Sequence, residues 1–205
     1  MAFILFVEGK TEKTAIAEFL KRWLDTRLSK PVGIKPVKFE GWAELVKDLP
    51  KKAGLYLQKN DVIAVISIMD LYGPTIYTSK KTKARDRYKW GKQHLESKVN
   101  KDRYFHFFAV HEFEAWLFSD PAIFPAEIKK TISSLNKAPE DIDDDTPPAK
   151  RLNKLYQNTT GRNYKKITHG KDLFKKLDPN IAYEKCPYFK ELLDKMLELA
   201  KAAGY

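Results

Sequence analysis

Three groups of charged side chains stand directly after apolar segments of the sequence, and they are of types that bind cations. Glu8, Asp70 and the run His-Glu-Phe-Glu at residues 111–114 each follow such a segment. An ionised carboxylate is costly to bury without a partner, so these positions call for a counter-charge or a ligand. Carboxylates from adjacent strand ends can hold Mg²⁺, which prefers one or two carboxylates together with water and phosphate oxygens. The pattern therefore indicates a divalent-cation site at Glu8 and Asp70, with Glu112 and Glu114 as further donors.

Each group also has a structural explanation. Glu8 would cap the helix that follows it, Asp70 would cap the turn after its strand, and residues 111–114 would form the solvated start of a helix. If residues 111–114 are extended, Glu112 and Glu114 share one face, whereas in a helix they diverge and only one of them points inward. The sequence leaves these alternatives open.

Several well-known sites are excluded by single residues. Gly-Lys-Thr at residues 9–11 is no phosphate-binding P-loop, because that motif needs a glycine where Ile4 stands. His111 does not begin a zinc-protease helix, because Ala115 replaces the second histidine. Cys186 is the single cysteine, which excludes an internal disulfide and a cysteine-based metal cage. The acidic run at residues 140–145 lacks the glycine and distal glutamate of a calcium loop, and we expect it to form an exposed turn.

The chain is basic, with 38 Lys and Arg against 27 Asp and Glu and a formal net charge of +11. This excess favours a polyanionic partner, of which nucleic acid is the commonest. Cations and aromatic rings alternate over residues 80–92, a combination that neutralises phosphates and stacks on bases; the alternative is a solvated, mobile loop. The residues predicted to bind nucleic acid are Lys80, Lys81, Lys83, Arg85, Arg87, Lys89, Trp90, Lys150 and Arg151.

A second basic group surrounds His169. This imidazole precedes Gly170 in a polar segment and is the best candidate for proton transfer, while Lys171 is a candidate for neutralising a phosphate. The alternative is that His169 is structural and that the lysines of this segment only increase solubility.

Apolar runs and amphipathic patterns alternate over the first 120 residues. Continuous apolar runs are typical of strands covered on both faces, so the alternation predicts an α/β fold with a mostly parallel sheet flanked by helices. Because the carboxyl ends of parallel strands meet at one edge, Glu8, Asp70 and residues 111–114 are expected to converge there. The predicted strands cover residues 2–7, 36–39, 61–69 and 104–110.

The rest of the chain reads as helical. We expect residues 1–120 to form the α/β core, with a basic lid inserted at about residues 74–100, and residues 121–205 to form a C-terminal helical extension packed on that core as one compact domain. No apolar run approaches the roughly 20 residues that a bilayer requires, and the N-terminus has no signal-peptide pattern. A cytoplasmic location without membrane association is therefore expected. Helical patterns cover residues 11–28, 42–57, 121–135, 147–158, 170–176 and 186–203, and a weak one covers residues 93–99.

Three blocks of residues resemble a known family. They are Phe-Val-Glu-Gly at residues 6–9, Asp-Leu-Tyr-Gly at residues 70–73 and His-Glu-Phe-Glu-Ala-Trp-Leu-Phe-Ser-Asp-Pro at residues 111–121. Together they are similar to an uncharacterised prokaryotic family of Toprim-like proteins, a domain of unknown function, whose downstream signatures residues 148–152 and 168–171 also match. More distantly, the arrangement resembles Toprim domains, the metal-binding catalytic domains of topoisomerases, bacterial primases, a ribosomal-RNA maturase and the overcoming-lysogenization-defect (OLD) nucleases.

The resemblance implies a Toprim-like (Rossmann-like) sheet in which acidic residues hold Mg²⁺ or Mn²⁺ and act on phosphodiester bonds. Glu8 matches the first-strand glutamate, a general acid/base or metal ligand, and Asp70 matches the first aspartate of an Asp-x-Asp pair. The second aspartate is replaced by Tyr72, which cannot act as a carboxylate at Mg²⁺. Either Glu112 or Glu114 supplies the missing ligand, or the metal chemistry is lost and the fold only binds.

Three functions follow as hypotheses. The first is a metal-dependent phosphodiesterase or nuclease that acts on DNA or RNA. The second is a non-catalytic nucleic-acid-binding or accessory subunit, which the OLD resemblance would pair with an ATPase in a prokaryotic defence system. The third is a pocket that transfers or hydrolyses a small phosphoryl substrate.

Overall fold

A sheet of four parallel strands lies at the centre of the protein. The computed structural model describes residues 1–9, 12–77, 83–135, 137–142 and 146–205. The strands are β1 (Ala2–Val7), β2 (Gly33–Lys38), β3 (Val62–Asp70) and β4 (Tyr104–Ala109). They lie in the order β2–β1–β3–β4, and every neighbouring pair is parallel. The prediction of an α/β fold with a parallel sheet is confirmed, and β1 has the predicted bounds.

Both faces of this sheet are covered, which explains the continuous apolar runs. All residues of β1 are buried, and β3 is buried as far as Met69. Phe3 and Leu5 belong to the core on one face, while Ile4 and Phe6 belong to the core on the other. Because successive side chains point to opposite faces, a strand covered on both sides is apolar at nearly every position, and Ser67 of β3 is a buried exception.

Helices form the two outer layers. Short π-helical segments lead into two of them, at Glu12–Ile16 and Lys166–Gly170. Within the described ranges, no helix is both long and apolar enough to cross a membrane. The α-helices of the described residues are α1 (Ala17–Asp25), α2 (Trp42–Leu57), α3 (Ala84–Val99), α4 (Glu114–Leu117), α5 (Ala126–Ser133), α6 (Pro148–Thr160), α7 (Lys171–Lys176), α8 (Pro179–Lys185) and α9 (Pro187–Ala202).

The two layers have different origins along the chain. Helices α2 and α3 cover one face, where Leu45 and Leu95 are fully buried. Helix α1 and the C-terminal helices cover the other, where the ring of Phe19 lies 5.3 Å from those of Phe174 and Phe189. The predicted C-terminal helical extension is therefore present, and it shares one core with the sheet.

Helix α3 covers residues whose sequence shows only a weak helical pattern. Its buried positions, Tyr88, Gly91, Leu95 and Val99, form a narrow stripe that the surrounding charges conceal in the sequence. A Cβ atom on Gly91 would lie 2.9 Å from ring atoms of Phe108. Helix α3 therefore approaches β4 closely because position 91 has no side chain.

The acidic run was expected to be an exposed turn, and this expectation is wrong at Glu140. This side chain is only 3% exposed. Its carboxylate accepts hydrogen bonds from the N–H groups of Tyr188 at 2.9 Å and Phe189 at 3.2 Å, at the start of α9. Burial raises the pKa of Glu140 to about 7. A run of similar acidic residues does not reveal which member caps a distant helix, and residues 143–145 lie outside the described ranges.

Candidate acidic site

The acidic residues predicted to act together lie where the strand order reverses. The chain passes from β1 outward to β2 on one side, and from β3 to β4 on the other. The carboxyl ends of β1 and β3 thus flank the switch point, at which α/β sheets commonly bind ligands. Glu8 directly follows β1, and Asp70 is the last residue of β3.

The side chain of Glu8 is directed to the neighbouring strand. Its Oε1 atom accepts a hydrogen bond of 2.9 Å from the backbone N–H of Asp70. Burial raises the pKa of Glu8 to about 7, against the opposing effect of that hydrogen bond. Glu8 is therefore a half-buried acid that titrates near neutrality and links two strands.

Asp70 links β3 to the segment after β4. Its Oδ1 atom accepts a hydrogen bond of 3.0 Å from the backbone N–H of Phe113, and its Oδ2 atom lies 3.8 Å from Nζ of Lys166. Burial raises the pKa of Asp70 well above its ordinary value, while Lys166 acts in the opposite direction. The carboxylate of Asp70 therefore contacts a segment beyond β4. The alternative in which Asp70 only caps the turn after its own strand does not include this contact.

His111 has a left-handed backbone conformation, which turns the chain after the end of β4. His111 has a φ of 63°, and its carbonyl accepts a hydrogen bond of 2.9 Å from the N–H of Tyr72. A positive φ is uncommon outside glycine and is frequent at functional sites. The turn places Glu112 before α4 and Glu114 at its first position. The side chains of Glu112 and Glu114 then both face Nζ of Lys166. The alternative in which only one of them points inward is therefore wrong.

Lys166 is the cation on which these carboxylates converge. Its Nζ atom lies 3.0 Å from Oε2 of Glu114 and 3.8 Å from Oε1 of Glu112, in addition to its contact with Asp70. Burial opposes the charge of Lys166, but the three carboxylates outweigh it and raise the lysine pKa. Burial likewise raises the pKa of Glu114 to about 6, against the opposing effect of Lys166. No ion pair could be predicted for Lys166 from the sequence, because its sequence neighbourhood is the same as that of Lys165.

The carboxylates share one mode of attachment. In Asp70 and Glu112, one oxygen accepts a backbone N–H, from Phe113 and from Ala149 at 2.7 Å, while the other oxygen faces Lys166. A carboxylate anchored in this way keeps its orientation. Hydrogen bonds to the ligands of metal sites have the same effect. The donor set consists of hard oxygens, the type that Mg²⁺ and Mn²⁺ prefer. The chemistry of the donors therefore fits such an ion.

The spacing of these donors is wider than direct coordination of a metal ion requires. Across the part of the chain that the structure describes, no three His, Cys, Asp or Glu side chains lie close enough together to hold one metal ion. The carboxylates instead surround Nζ of Lys166 at distances of 3.0 to 3.8 Å.

The remaining candidates for chemistry lie on the segment that carries Lys166. His169 stacks on Tyr156 with ring centroids 5.1 Å apart, and its Nδ1 accepts the N–H of Lys165 at 3.0 Å. Lys171 begins α7 directly after the π-helical segment. His169 is thus held by stacking and a backbone hydrogen bond.

The predicted nucleic-acid residues lie in two places. Lys150 and Arg151 lie in the first turn of α6, beside the Ala149 N–H that binds Glu112. The others that the structure describes lie at or within the start of α3, where the guanidinium of Arg87 lies over the ring of Tyr77 at 5.8 Å. Lys83 precedes α3, which contains Arg85, Arg87, Lys89 and Trp90, whereas Lys80 and Lys81 lie outside the described residues.

A groove of about 600 Å³ lies between α3 and α9, away from the acidic residues. It is lined by Arg85, Lys89 and Lys92 among others, with Tyr88 and Tyr188. The ammonium of Lys92 is already paired, at 3.3 Å from Glu96 and 3.5 Å from Glu191. The groove is therefore less cationic than its lysines and arginine suggest.

Comparisons with known proteins find several similar solved structures. The chain is similar to the C-terminal region of the Burkholderia pseudomallei OLD protein, with a TM-score of 0.49 and 15% identity, over 98% of this chain and 97% of that one. It is also similar to the C-terminal region of the Xanthomonas campestris pv. campestris OLD protein, with a TM-score of 0.46 and 16% identity, over 99% and 98% of the two chains. No curated protein matches its sequence.

A family match extends over residues 7–197, nearly the whole chain. The matched family is described as Domain of unknown function (DUF4276). The match confirms the family resemblance that the blocks at residues 6–9, 70–73 and 111–121 predicted. The protein belongs to the DUF4276 family.

Proposed function

We propose that this protein is a metal-dependent phosphodiesterase, a nuclease that acts on DNA or RNA with Mg²⁺ or Mn²⁺. The observation that carries the proposal is the convergence of Asp70, Glu112 and Glu114 on one cation at the switch point of a parallel sheet. The resemblance of these positions to Toprim domains supports the same chemistry. The excess of positive charge on the chain supports a polyanionic substrate.

Each acidic residue has a defined role in this proposal. Asp70, Glu112 and Glu114 would hold the ion, which would polarise a phosphate and favour attack by water. Glu8 would accept the proton of that water at its Oε2 atom, since its Oε1 atom is engaged with Asp70. Its pKa of about 7 suits a general base that works near neutral pH.

Basic residues are close in the chain to those that form the proposed reaction centre. Lys150 and Arg151 are one and two residues from Ala149, whose N–H binds Glu112, so they are close enough in the chain to contact the phosphate. His169 and Lys171 follow Lys166 on its own segment, which supports roles in proton transfer and phosphate neutralisation. Cations near a phosphate stabilise the charge that develops during its cleavage.

The test is cleavage of single-stranded and double-stranded DNA and RNA oligonucleotides in Mn²⁺, Mg²⁺ or EDTA. Asp70→Asn keeps an acceptor for the N–H of Phe113 but removes the negative charge, so we expect a loss of roughly 100-fold or more. Asp102→Asn is the matched control, because Asp102 is exposed and precedes β4 at the opposite edge of the sheet. Cleavage that persists in EDTA or in Asp70→Asn would refute the proposal.

A second candidate is a non-catalytic nucleic-acid-binding subunit, which the OLD resemblance would pair with an ATPase. The observation that favours it is Tyr72, which occupies the position of the second aspartate and is 49% exposed, as a base-stacking residue would be. This function predicts salt-sensitive binding of oligonucleotides that does not change on addition of Mg²⁺ and is not followed by cleavage.

A further inference from the structure

We propose that Lys166 is an internal counter-ion, which occupies the cation position of the acidic site in the metal-free protein and leaves it when a divalent ion binds. The inference rests on the proposed function and concerns the competition that a metal ion meets at this site. Lys166 would then set the metal concentration at which the site becomes loaded.

The contacts of Lys166 support a replaceable cation. Only its 3.0 Å contact with Glu114 is short enough for a hydrogen bond, whereas Asp70 and Glu112 each lie 3.8 Å away. The ammonium is therefore held chiefly by the summed field of the carboxylates. A metal ion in the same field would be held by the same oxygens.

A divalent ion carries more charge than the ammonium that it would replace. Lys166 brings a single positive charge to Asp70, Glu112 and Glu114. A divalent ion in the same position would bring twice that charge, and it would therefore be attracted more strongly by the same three carboxylates.

The lysine, and not the carboxylates, is the part that can move. Asp70 and Glu112 are anchored by the N–H groups of Phe113 and Ala149, so their orientation is fixed. The side chain of Lys166 is 36% exposed, whereas that of Glu114 is only 4% exposed. Rotation of a flexible four-carbon stem is enough to carry the ammonium into solvent.

The spacing of the acidic residues agrees with this exchange. In the described ranges, no three potential ligands are close enough together to hold a metal ion directly. Release of Lys166 would free the position of its Nζ atom, within 4 Å of three carboxylates. The anchored carboxylates would not need to move, because Mg²⁺ usually keeps several waters and can be held partly through them.

The experiment is a calorimetric titration with Mn²⁺ of the full chain, without nucleic acid. We expect Lys166→Met to bind Mn²⁺ at least roughly tenfold more tightly than the unmodified protein, because the competing charge is absent. Lys165→Met is the matched control, since Lys165 is the exposed neighbour and its side chain is outside the cluster; its affinity should not change.

A second variant keeps the test valid if Lys166→Met does not fold. Lys166→Arg retains the charge and offers more hydrogen bonds to carboxylates, so we expect it to bind Mn²⁺ several-fold more weakly than the unmodified protein. Circular dichroism with and without Mn²⁺ verifies the folded state of each variant.

The possible failures are distinguishable. Equal or weaker Mn²⁺ binding by folded Lys166→Met, or equal or tighter binding by Lys166→Arg, would overturn the role of Lys166 while leaving the metal site intact. Absence of Mn²⁺ binding in the unmodified protein and in all folded variants would overturn the proposed metal-dependent function and the inference together. Tighter binding by Lys166→Met that disappears in the double variant with Asp70→Asn would support both.

Discussion

The carboxylate of Glu8 accepts a hydrogen bond of 2.9 Å from the backbone N–H of Asp70, so a side chain at the end of β1 fixes the end of β3. The carboxylate of Asp70 in turn accepts the N–H of Phe113, beyond the end of β4. These bonds connect three strand ends in sequence. Glu8 and Asp70 therefore hold the sheet edge together, and Asp70 also presents its second oxygen to the ammonium of Lys166.

The first prediction separates these two roles at Glu8. Glu8→Gln retains an oxygen for the N–H of Asp70, whereas Glu8→Ala leaves that partly buried N–H without its partner. We expect Glu8→Ala to lower the free energy of unfolding by about 1–3 kcal/mol and Glu8→Gln to leave it nearly unchanged, as measured by urea unfolding at about pH 4, where the carboxyl group is neutral like the amide. Both variants should lose phosphodiesterase activity, because neither can accept a proton.

Glu18→Ala serves as the control for this prediction, since Glu18 is exposed on α1. Equal stability of Glu8→Ala and Glu8→Gln would show that the hydrogen bond to Asp70 does not stabilise the sheet edge.

The second prediction concerns the basic start of α3. Simultaneous replacement of Lys83, Arg85 and Lys89 by Ala removes three exposed cations. If they contact phosphates, the slope of log K against log salt for a single-stranded oligonucleotide should become shallower by about 2, since each contact contributes about 0.7. Fluorescence anisotropy at several salt concentrations measures this slope.

The control must remove the same charge elsewhere. An unchanged slope in the α3 variant would mean that these three side chains do not contact phosphates. An equal change in the control would mean that net charge and not this helix governs binding. The control replaces three exposed lysines on α5 and α9, namely Lys129, Lys130 and Lys201.

The third prediction tests the close approach of α3 to β4. A Cβ atom at Gly91 would lie 2.9 Å from the ring of Phe108 and 3.1 Å from that of Tyr77. Gly91→Ala should therefore destabilise the protein by about 1–3 kcal/mol through overpacking. Gly54→Ala in α2 meets no atom within 4 Å and should stabilise by up to about 1 kcal/mol, because alanine has the higher helix propensity. Urea unfolding at one pH measures both; the same sign for the two variants would contradict the packing argument.

The strands and the carboxylates at their ends could be predicted because each depends on residues adjacent in the sequence. A strand buried on both faces is apolar throughout, and the polar residue that ends it is conspicuous, as Glu8 and Asp70 are. The weak pattern of α3 was harder to interpret, since its narrow buried stripe includes Gly91. Helix α8 was not predicted, although Asp178 caps it by accepting the N–H of Asn180 at 2.9 Å.

The partners of these carboxylates could not be predicted, because the contacts join segments that are distant in the sequence. Lys166 reaches Asp70 from a segment nearly one hundred residues later, and nothing local separates it from Lys165. The positive φ of His111, which lets both Glu112 and Glu114 face the same cation, has no signal in a sequence without glycine at that position.

The last prediction concerns the pH dependence of stability at Glu140, which is remote in the chain from the acidic site. Burial raises its pKa from an ordinary value of 4.5 to about 7 in the folded protein. Between these values the folded state binds the proton more tightly than the unfolded chain does. The contribution of this group to stability is therefore fully present below about pH 4.5 and is lost as the pH rises through about 7.

The comparison is between the unmodified protein and Glu140→Gln, which has no charge to titrate and keeps an oxygen for the N–H groups of Tyr188 and Phe189. We expect the stability of the unmodified protein relative to this variant to fall by on the order of 2 kcal/mol between pH 5 and pH 8. Urea unfolding of both proteins at the two pH values measures the change, and other titrating groups cancel in the difference. A difference that stays constant or grows with pH would mean that the two backbone hydrogen bonds outweigh the burial of the charge. These hydrogen bonds would then stabilise the ionised form of Glu140 as the cap of α9.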